Sequence, residues 1–191
     1  MYTLFIDTHF EMLHVALFQN ELVFDEILKK DGRHSEYFVN SLKELLERNS
    51  LTIHDLSGII VVNGPGSFTG VRIGVVVAKL ISYCEHIPIK VISSLQAVAL
   101  KYDEDCVIGI KDKNGTFIGK FNKSHELMGD YFYLNNKELD DFKENIIIDD
   151  VINLDMVYDY LKDKKDIEPH IVKPIYVKKI EVDKWLENQM Y

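Results

Sequence analysis

Cysteine is scarce in this 191-residue chain: it has two, Cys84 and Cys106, in neither a Cys-x-x-Cys pair nor a zinc-ligand spacing. That excludes a disulfide framework and a cysteine zinc site, and leaves reduced thiols in the cytoplasm as the expectation. Basic charge is also in short supply. Lys and Arg number 22 against 31 Asp and Glu, for a formal net charge of −9. Nucleic-acid binding draws on clustered Lys and Arg at the phosphates, so any role on RNA is expected to run through a more basic partner. No apolar run is long enough to cross a bilayer, so no membrane association is expected. Met1–Leu4 opens a strand pattern and lacks the basic region and cleavage site of a signal peptide.

What is present is an ordinary balance of 47% hydrophobic and 28% charged residues. It suits a soluble globular protein of one sizeable or two small domains. Three strand-like segments come first, Tyr2–Thr8, Met12–Phe18 and Leu22–Leu28, joined by short polar turns. A helix is predicted over His34–Asn49, with Phe38, Leu42, Leu45 and Leu46 on one face. Then follow a buried strand, Gly58–Asn63, a helix, Ser67–Glu85, a strand, Pro88–Ile92, and a short helix, Ser94–Tyr102. The order β-β-β-α-β-α-β-α is that of a ribonuclease-H-like unit, the building block of actin-like and sugar-kinase-like ATPases.

The pattern then restarts in reduced form. Cys106–Ile110, Thr116–Phe121 and Leu127–Leu134 read as three strands, with residues 113–115 (Lys-Asn-Gly) as a hairpin turn. A weak helix, a short strand Asn145–Ile148 and a helix Leu154–Leu161 follow. The expected fold is therefore α/β, with two such subdomains in tandem and the second shortened. They would span residues 1–103 and 104–191, the boundary falling near 102–106. The first hundred residues carry 8 basic and 11 acidic side chains against 14 and 20 in the remaining 91, so the second half is expected to have the smaller core.

The stretch from Val61 to Lys79, "VVNGPGSFTGVRIGVVVAK", has the outline of a phosphate-binding loop. A Walker loop needs lysine after its last glycine, but Val71 follows Gly70. A dinucleotide fingerprint needs a third glycine, but Thr69 stands there. What remains is a tight strand-to-helix turn: Gly64, Pro65 and Gly66 bend the chain, and Ser67 or Thr69 caps the helix. The helix behind it is apolar nearly all round, where packing on one sheet face needs a single stripe. Gly70, Gly74, Ala78 and Ser82 recur every four residues as a ridge of small side chains, with Val71 and Val75 beside them. Such a ridge permits close helix packing. Together with Phe38, Leu42 and Leu45 of the preceding helix, these residues are expected to form a surface for a partner helix pair.

"GPGSFTGVRIG" (Gly64–Gly74), "GRHSEYF" (Gly32–Phe38), "LFIDT" (Leu4–Thr8), "ISSLQAVA" (Ile92–Ala99) and "PIYVKK" (Pro174–Lys179) together resemble the bacterial TsaB (YeaZ) family of tRNA threonylcarbamoyladenosine biosynthesis proteins. The likeness is dense over the first hundred residues and sparse after them. "IKDKNG" at 110–115 departs from the Asp-Ala-Arg usual there, and Lys replaces Arg in the Pro-x-Tyr-x-Arg element. The resemblance implies two actin-like subdomains and a non-catalytic, cytoplasmic subunit. That subunit dimerises through two helices with TsaD, the catalytic threonylcarbamoyltransferase, and works with the ATPase TsaE. It would meet tRNA only through the complex and form a homodimer when alone. No cofactor is expected in the isolated chain, and whether a nucleotide sits at the subunit interface is left open.

The residues themselves bear on the absence of catalysis. TsaD-like chains carry a metal-binding His-x-x-x-His where this chain has Ser94 and Val98, neither of which replaces neutral imidazole. His34-Ser35-Glu36 contains the elements of a hydrolytic triad, but neighbouring helical residues point to different faces. Asp7 stands where ATPases of this superfold place a metal-associated carboxylate, and its simpler reading is a strand-end turn residue. "YFYL" (Tyr131–Leu134) reads as a buried strand. The alternative function is an ATP-dependent phosphotransferase or ATPase of the same superfold. It is disfavoured because "DTHFEM" (Asp7–Met12) is bulky where phosphate needs close backbone approach.

Overall fold

The computed structural model describes residues 1–10, 12–29 and 34–178. The first five strands, β1 (Tyr2–Asp7), β2 (Met12–Phe18), β3 (Leu22–Lys29), β4 (Leu56–Val62) and β5 (Ile89–Ile92), form one sheet in the order β3-β2-β1-β4-β5. β1 pairs antiparallel with β2 and parallel with β4, and β4 pairs parallel with β5. β1 and β4 read as near-continuous apolar runs because both of their faces are covered. On one face Leu4, Ile6, Val15, Ile59 and Val61 meet helices α1 (His34–Arg48) and α2 (Phe68–Glu85). On the other, Phe5, Phe18, Ile60 and Val62 meet α3 (Ser94–Ala99) and α5 (Leu154–Lys162).

The second sheet repeats the order without a fifth strand. β6 (Cys106–Asp112), β7 (Gly115–Phe121), β8 (Phe132–Asn135) and β9 (Ile147–Ile148) run β8-β7-β6-β9. Their pairings are antiparallel, antiparallel and parallel, as in the first sheet. The fold is thus α/β, two ribonuclease-H-like units in tandem with the second trimmed. Its helix between third and fourth strands, α4 (Asn136–Asp140), has five residues, where α1 has fifteen. The helices do not respect the division between sheets. α3, from the first half, lays Leu95, Val98 and Ala99 on the second sheet, and α5, from the second half, buries Leu154, Val157 and Leu161 on the first.

Two local expectations need correction. The third strand of the second half does not run over Leu127–Leu134: Leu127 makes one bridge to Phe121, and regular pairing resumes only at Phe132. Gly129, at φ +85°, bends the chain between them. β8 is moreover an edge strand, so Tyr131–Leu134 is half-buried instead of core. The hairpin turn is Lys113–Asn114, since Asp112 already pairs with Gly115. Gly115 belongs to β7 and has no room for a side chain against the Leu134 carbonyl. Gly32, Arg33 and Lys179 lie outside the described residues, as do the side chains of His34, Ser35, Glu36 and Tyr37.

Candidate functional site

The Gly-Pro-Gly loop joins β4 to α2, and its own protein occupies its polar groups. Gly64 has φ +97°, a region that favours glycine, and the Gly64–Pro65 bond is cis. A Cβ on Gly66 would run into the His9 backbone carbonyl. That carbonyl instead accepts from the Ser67 N–H at 2.7 Å, locking the β1–β2 turn to the loop. On the other side, the Ser94 hydroxyl donates to the Pro65 carbonyl at 2.6 Å and the Ser94 N–H to the Gly64 carbonyl at 2.9 Å. Ser67 caps α2, its hydroxyl oxygen accepting from the Gly70 N–H at 3.3 Å, while Thr69 faces solvent. Gly64, Pro65, Gly66 and Ser67 therefore form a joint between β1, α2 and α3. Ser94 and Val98 are both fully buried parts of that joint and of the α3 core.

Beside the loop lies a pair that the sequence reading treated as a turn. His9 Nδ1 sits 2.6 Å from Asp7 Oδ1, and both side chains are almost wholly enclosed. Burial alone would push the Asp7 carboxyl up. The charge and hydrogen bonds of His9 outweigh it and hold Asp7 below the usual carboxylate range. The aspartate is therefore ionised at neutral pH and already spoken for by an imidazole, with its backbone neighbour donating as well, His9 N–H to Oδ1 at 2.9 Å. The Asp-x-His spacing was the available signal. Among the described residues no group of three or more His, Cys, Asp or Glu is placed to hold a metal ion.

A cleft of about 840 Å³ separates the loop from the second sheet, with His9, Gly66 and Ser67 on one wall and Ile110, Asp112 and Lys113 on the other. Its second wall is also tied internally. Asp112 accepts from Lys178 Nζ at 2.8 Å and from the Tyr133 hydroxyl at 2.6 Å. Partial burial pushes its carboxyl up, and these two donors more than offset that, leaving it below the usual range.

The helix α2 has two unlike faces. Gly70, Val71, Gly74, Val75, Ala78, Ile81 and Ser82 are buried in the chain's own core. A Cβ on Gly74 would overlap the Thr8 hydroxyl, which donates to the Gly70 carbonyl at 2.7 Å. Phe38, Leu42 and Leu45 of α1 are buried in the same cluster. The nine residues expected to meet a partner helix pair are thus buried in the chain's own fold and not on an open surface, and at Gly70 and Gly74 the small ridge lets α2 lie against Thr8 beyond the end of β1. The opposite face carries Val76, Leu80 and Tyr83, 61%, 60% and 57% exposed, with Val39 of α1 also bare. Large side chains at i, i+4 and i+7 that stay more than half exposed were the overlooked signal.

A family model described as TsaD, tRNA N6-adenosine threonylcarbamoyltransferase, matches residues 27–107. The Bacillus subtilis tRNA threonylcarbamoyladenosine biosynthesis protein TsaB is 41% identical over 102 residues, 52% of this chain and 44% of that protein. The protein of the same name from Buchnera aphidicola subsp. Acyrthosiphon pisum is 24% identical over 89% of this chain and 88% of its own length. The match to the Bacillus protein spans less than half of that relative. The crystallised YeaZ from Pseudomonas aeruginosa superposes with a TM-score of 0.74 over 92% of this chain and 99% of its own, at 17% identity, which speaks to the fold.

Proposed function

The chain belongs to the TsaB (YeaZ) family of tRNA threonylcarbamoyladenosine biosynthesis proteins, and on that premise we propose that it is a non-catalytic subunit that docks on a TsaD-type threonylcarbamoyltransferase and supports it. The observation that carries this reading is α2: one apolar face is consumed by the fold, and the other stays more than half exposed at Val76, Leu80 and Tyr83. Contiguous exposed apolar surface of this kind marks interaction sites. The docking surface is the outer face, Val39, Val76, Leu80 and Tyr83, in place of the inner residues first singled out.

The non-catalytic part of the proposal rests on three positions. Asp7 is paired with a buried histidine, Ser94 is a tether and Val98 is core. Asp7 Oδ1 is held by the His9 ring and backbone N–H, and no second carboxylate, thiol or further histidine among the described residues joins the pair in a metal-binding group. The subunit would work in the cytoplasm, with a TsaE-type ATPase joining the complex, and would meet tRNA only there. Alone it would pair with a second copy through the same bare face. Any nucleotide would belong to the interface between subunits, not to this chain by itself. No helix among the described residues is long and apolar enough to cross a membrane.

The test is reconstitution. The purified chain, the TsaD-type subunit of the same organism, and both together are assayed for threonylcarbamoyl transfer to tRNA and for ATP turnover. Transfer that needs the TsaD-type subunit and rises on adding this chain is the expected result. ATP turnover by this chain alone that disappears with Asp7→Asn would instead favour the phosphotransferase reading.

A further inference from the structure

After α5 the chain does not end its work on the second sheet. Residues 163–178 return along α2 as a strap whose only regular element is a single 3-10 turn at Pro169–Ile171. The strap is fixed mainly through backbone groups. The Ile167 N–H donates to the Ile89 carbonyl at 2.9 Å, and the Ile175 N–H to the Asn63 carbonyl at 2.8 Å. Lys79 of α2 donates to the carbonyls of His170 and Val172, at 3.3 and 3.0 Å, and Asn63 Nδ2 to that of Lys173 at 3.1 Å. Val172 is the strap's buried anchor in the first core. At the far end, Arg72 Nε donates to the Tyr176 hydroxyl at 2.6 Å, and its guanidinium lies 3.7 Å from the Phe68 ring centroid and 5.2 Å from that of Tyr176.

These contacts fix where the strap lies. At 100° per residue, Phe68, Arg72, Lys79 and Tyr83 share one stripe of α2, and each touches the strap: Phe68 and Arg72 meet Tyr176, Lys79 meets His170 and Val172, and Tyr83 stands edge-on to His170. Val76 and Leu80 fall on the next stripe, pointing outward, with the strap on one side. Yet the strap leaves Ile171 64% exposed, and Tyr176 52% exposed even with its contacts to Phe68 and Arg72. A segment that served only to cover α2 would turn such groups inward.

We propose that the strap is a third element of the docking face, so that the partner sits on α1, α2 and residues 170–176 together. The inference rests on the reading of α2's outer face as the partner surface. Its occupant is a TsaD-type chain. The TsaD family model spans residues 27–107 and so takes in both α1 and α2; a chain of that kind carries a counterpart helix pair to set against this one. Two cations of α2, Arg72 and Lys79, line the seam with the strap, in a chain whose net charge is −9. Long-range repulsion between two copies makes self-pairing the weaker use of this face, and the seam fits a different chain with an acidic rim better.

Titration calorimetry of the TsaD-type subunit of the same organism separates the two levels. Wild type, Leu80→Asp and Ile171→Asp are compared, with melting curves to establish that each is folded, and self-association is followed by sedimentation. Both substituted residues are exposed, so both variants should melt near wild type. Leu80→Asp should weaken binding by about a hundredfold or more and Ile171→Asp by about tenfold, as for central and peripheral contacts of one interface. Loss with Leu80→Asp but wild-type affinity with Ile171→Asp overturns the strap proposal and leaves the helix face standing. Wild-type affinity in both overturns the helix face and the strap with it. An Ile171→Asp variant impaired only in self-association would assign the strap to contacts between copies, against the proposal.

Discussion

In the first half of the molecule the fourth strand is seven residues long and feeds a tight loop and an eighteen-residue helix; in the second half the corresponding strand, β9, has two residues and leads to a helix of nine. The helix between third and fourth strands shrinks from fifteen residues to five, and α4 buries nothing. Both halves thus keep the three-strand meander and the parallel fourth strand, but only the first keeps helices long enough to have a second face. The second half is held in place by exchange: α3 lies on its sheet, while α5 and the strap return to the first. Trimming is tolerable there because a borrowed helix completes the core. The proposed docking surface, by contrast, lies on the half whose helices were kept whole.

The comparison can be broken most severely at the joint between β1 and α2. Gly66→Ala pushes a methyl into the His9 carbonyl, and Gly74→Leu drives a side chain into Thr8. The His9 backbone cannot yield, and the buried Thr8 side chain is held by its bond to the Gly70 carbonyl while leucine adds four carbons against it, so each should destabilise the fold by about 3 kcal/mol. The check is chemical denaturation, and partner affinity per folded molecule should be unchanged. Melting at the wild-type temperature would mean that α2 does not lie against β1 as described.

The buried Asp7–His9 pair should give the next largest effect. Asp7→Asn replaces the ionised carboxylate of a buried hydrogen-bonded pair with a neutral amide, at a cost of about 2 kcal/mol at neutral pH. The folded carboxyl titrates below its unfolded value. Its contribution is therefore complete above the unfolded pKa of about 4 and is lost as pH falls through the lower folded value. Wild-type stability should fall away in acid, and the gap to Asp7→Asn should narrow there. A gap that stays constant down to strong acid would show the carboxylate to be uncharged in the fold.

The smallest effect belongs to the second half. Asn135 caps α4, its side chain accepting from the N–H groups of Lys137 and Glu138 while Glu138 reaches back to the Asn135 N–H. Asn135→Ala should cost about 1 kcal/mol by the usual value of a cap, read as a small fall in melting temperature with no change in partner binding. A change in binding would bring the trimmed half into the interface.

Much of this was legible in the chain. Hydrophobic alternation and length placed the strands of the first sheet within a residue or two, because strands buried on both faces leave dense apolar runs. The apolar excess of α2 announced more apolar surface than one sheet face can bury, and Val76, Leu80 and Tyr83 are indeed left exposed. Which face meets what was not legible. Small residues allow close approach to any neighbour, and the neighbour of Gly74 is Thr8 at the end of β1, not a partner helix. The Asp7–His9 pair was hidden because only the fold reveals that the turn is enclosed. The strap was hidden because it carries no periodicity; its position is set by lone backbone groups meeting Lys79 and Asn63 from far along the sequence.

The central claim is that the inner face of α2 builds the fold and the outer face binds the partner. It is tested most directly by measuring the dissociation constant of the TsaD-type subunit for Val76→Asp, at a position 61% exposed, beside its melting temperature. The account predicts a melting temperature near wild type and an affinity weaker by about a hundredfold, or roughly 2.7 kcal/mol. A folded Val76→Asp chain that binds with wild-type affinity would contradict it.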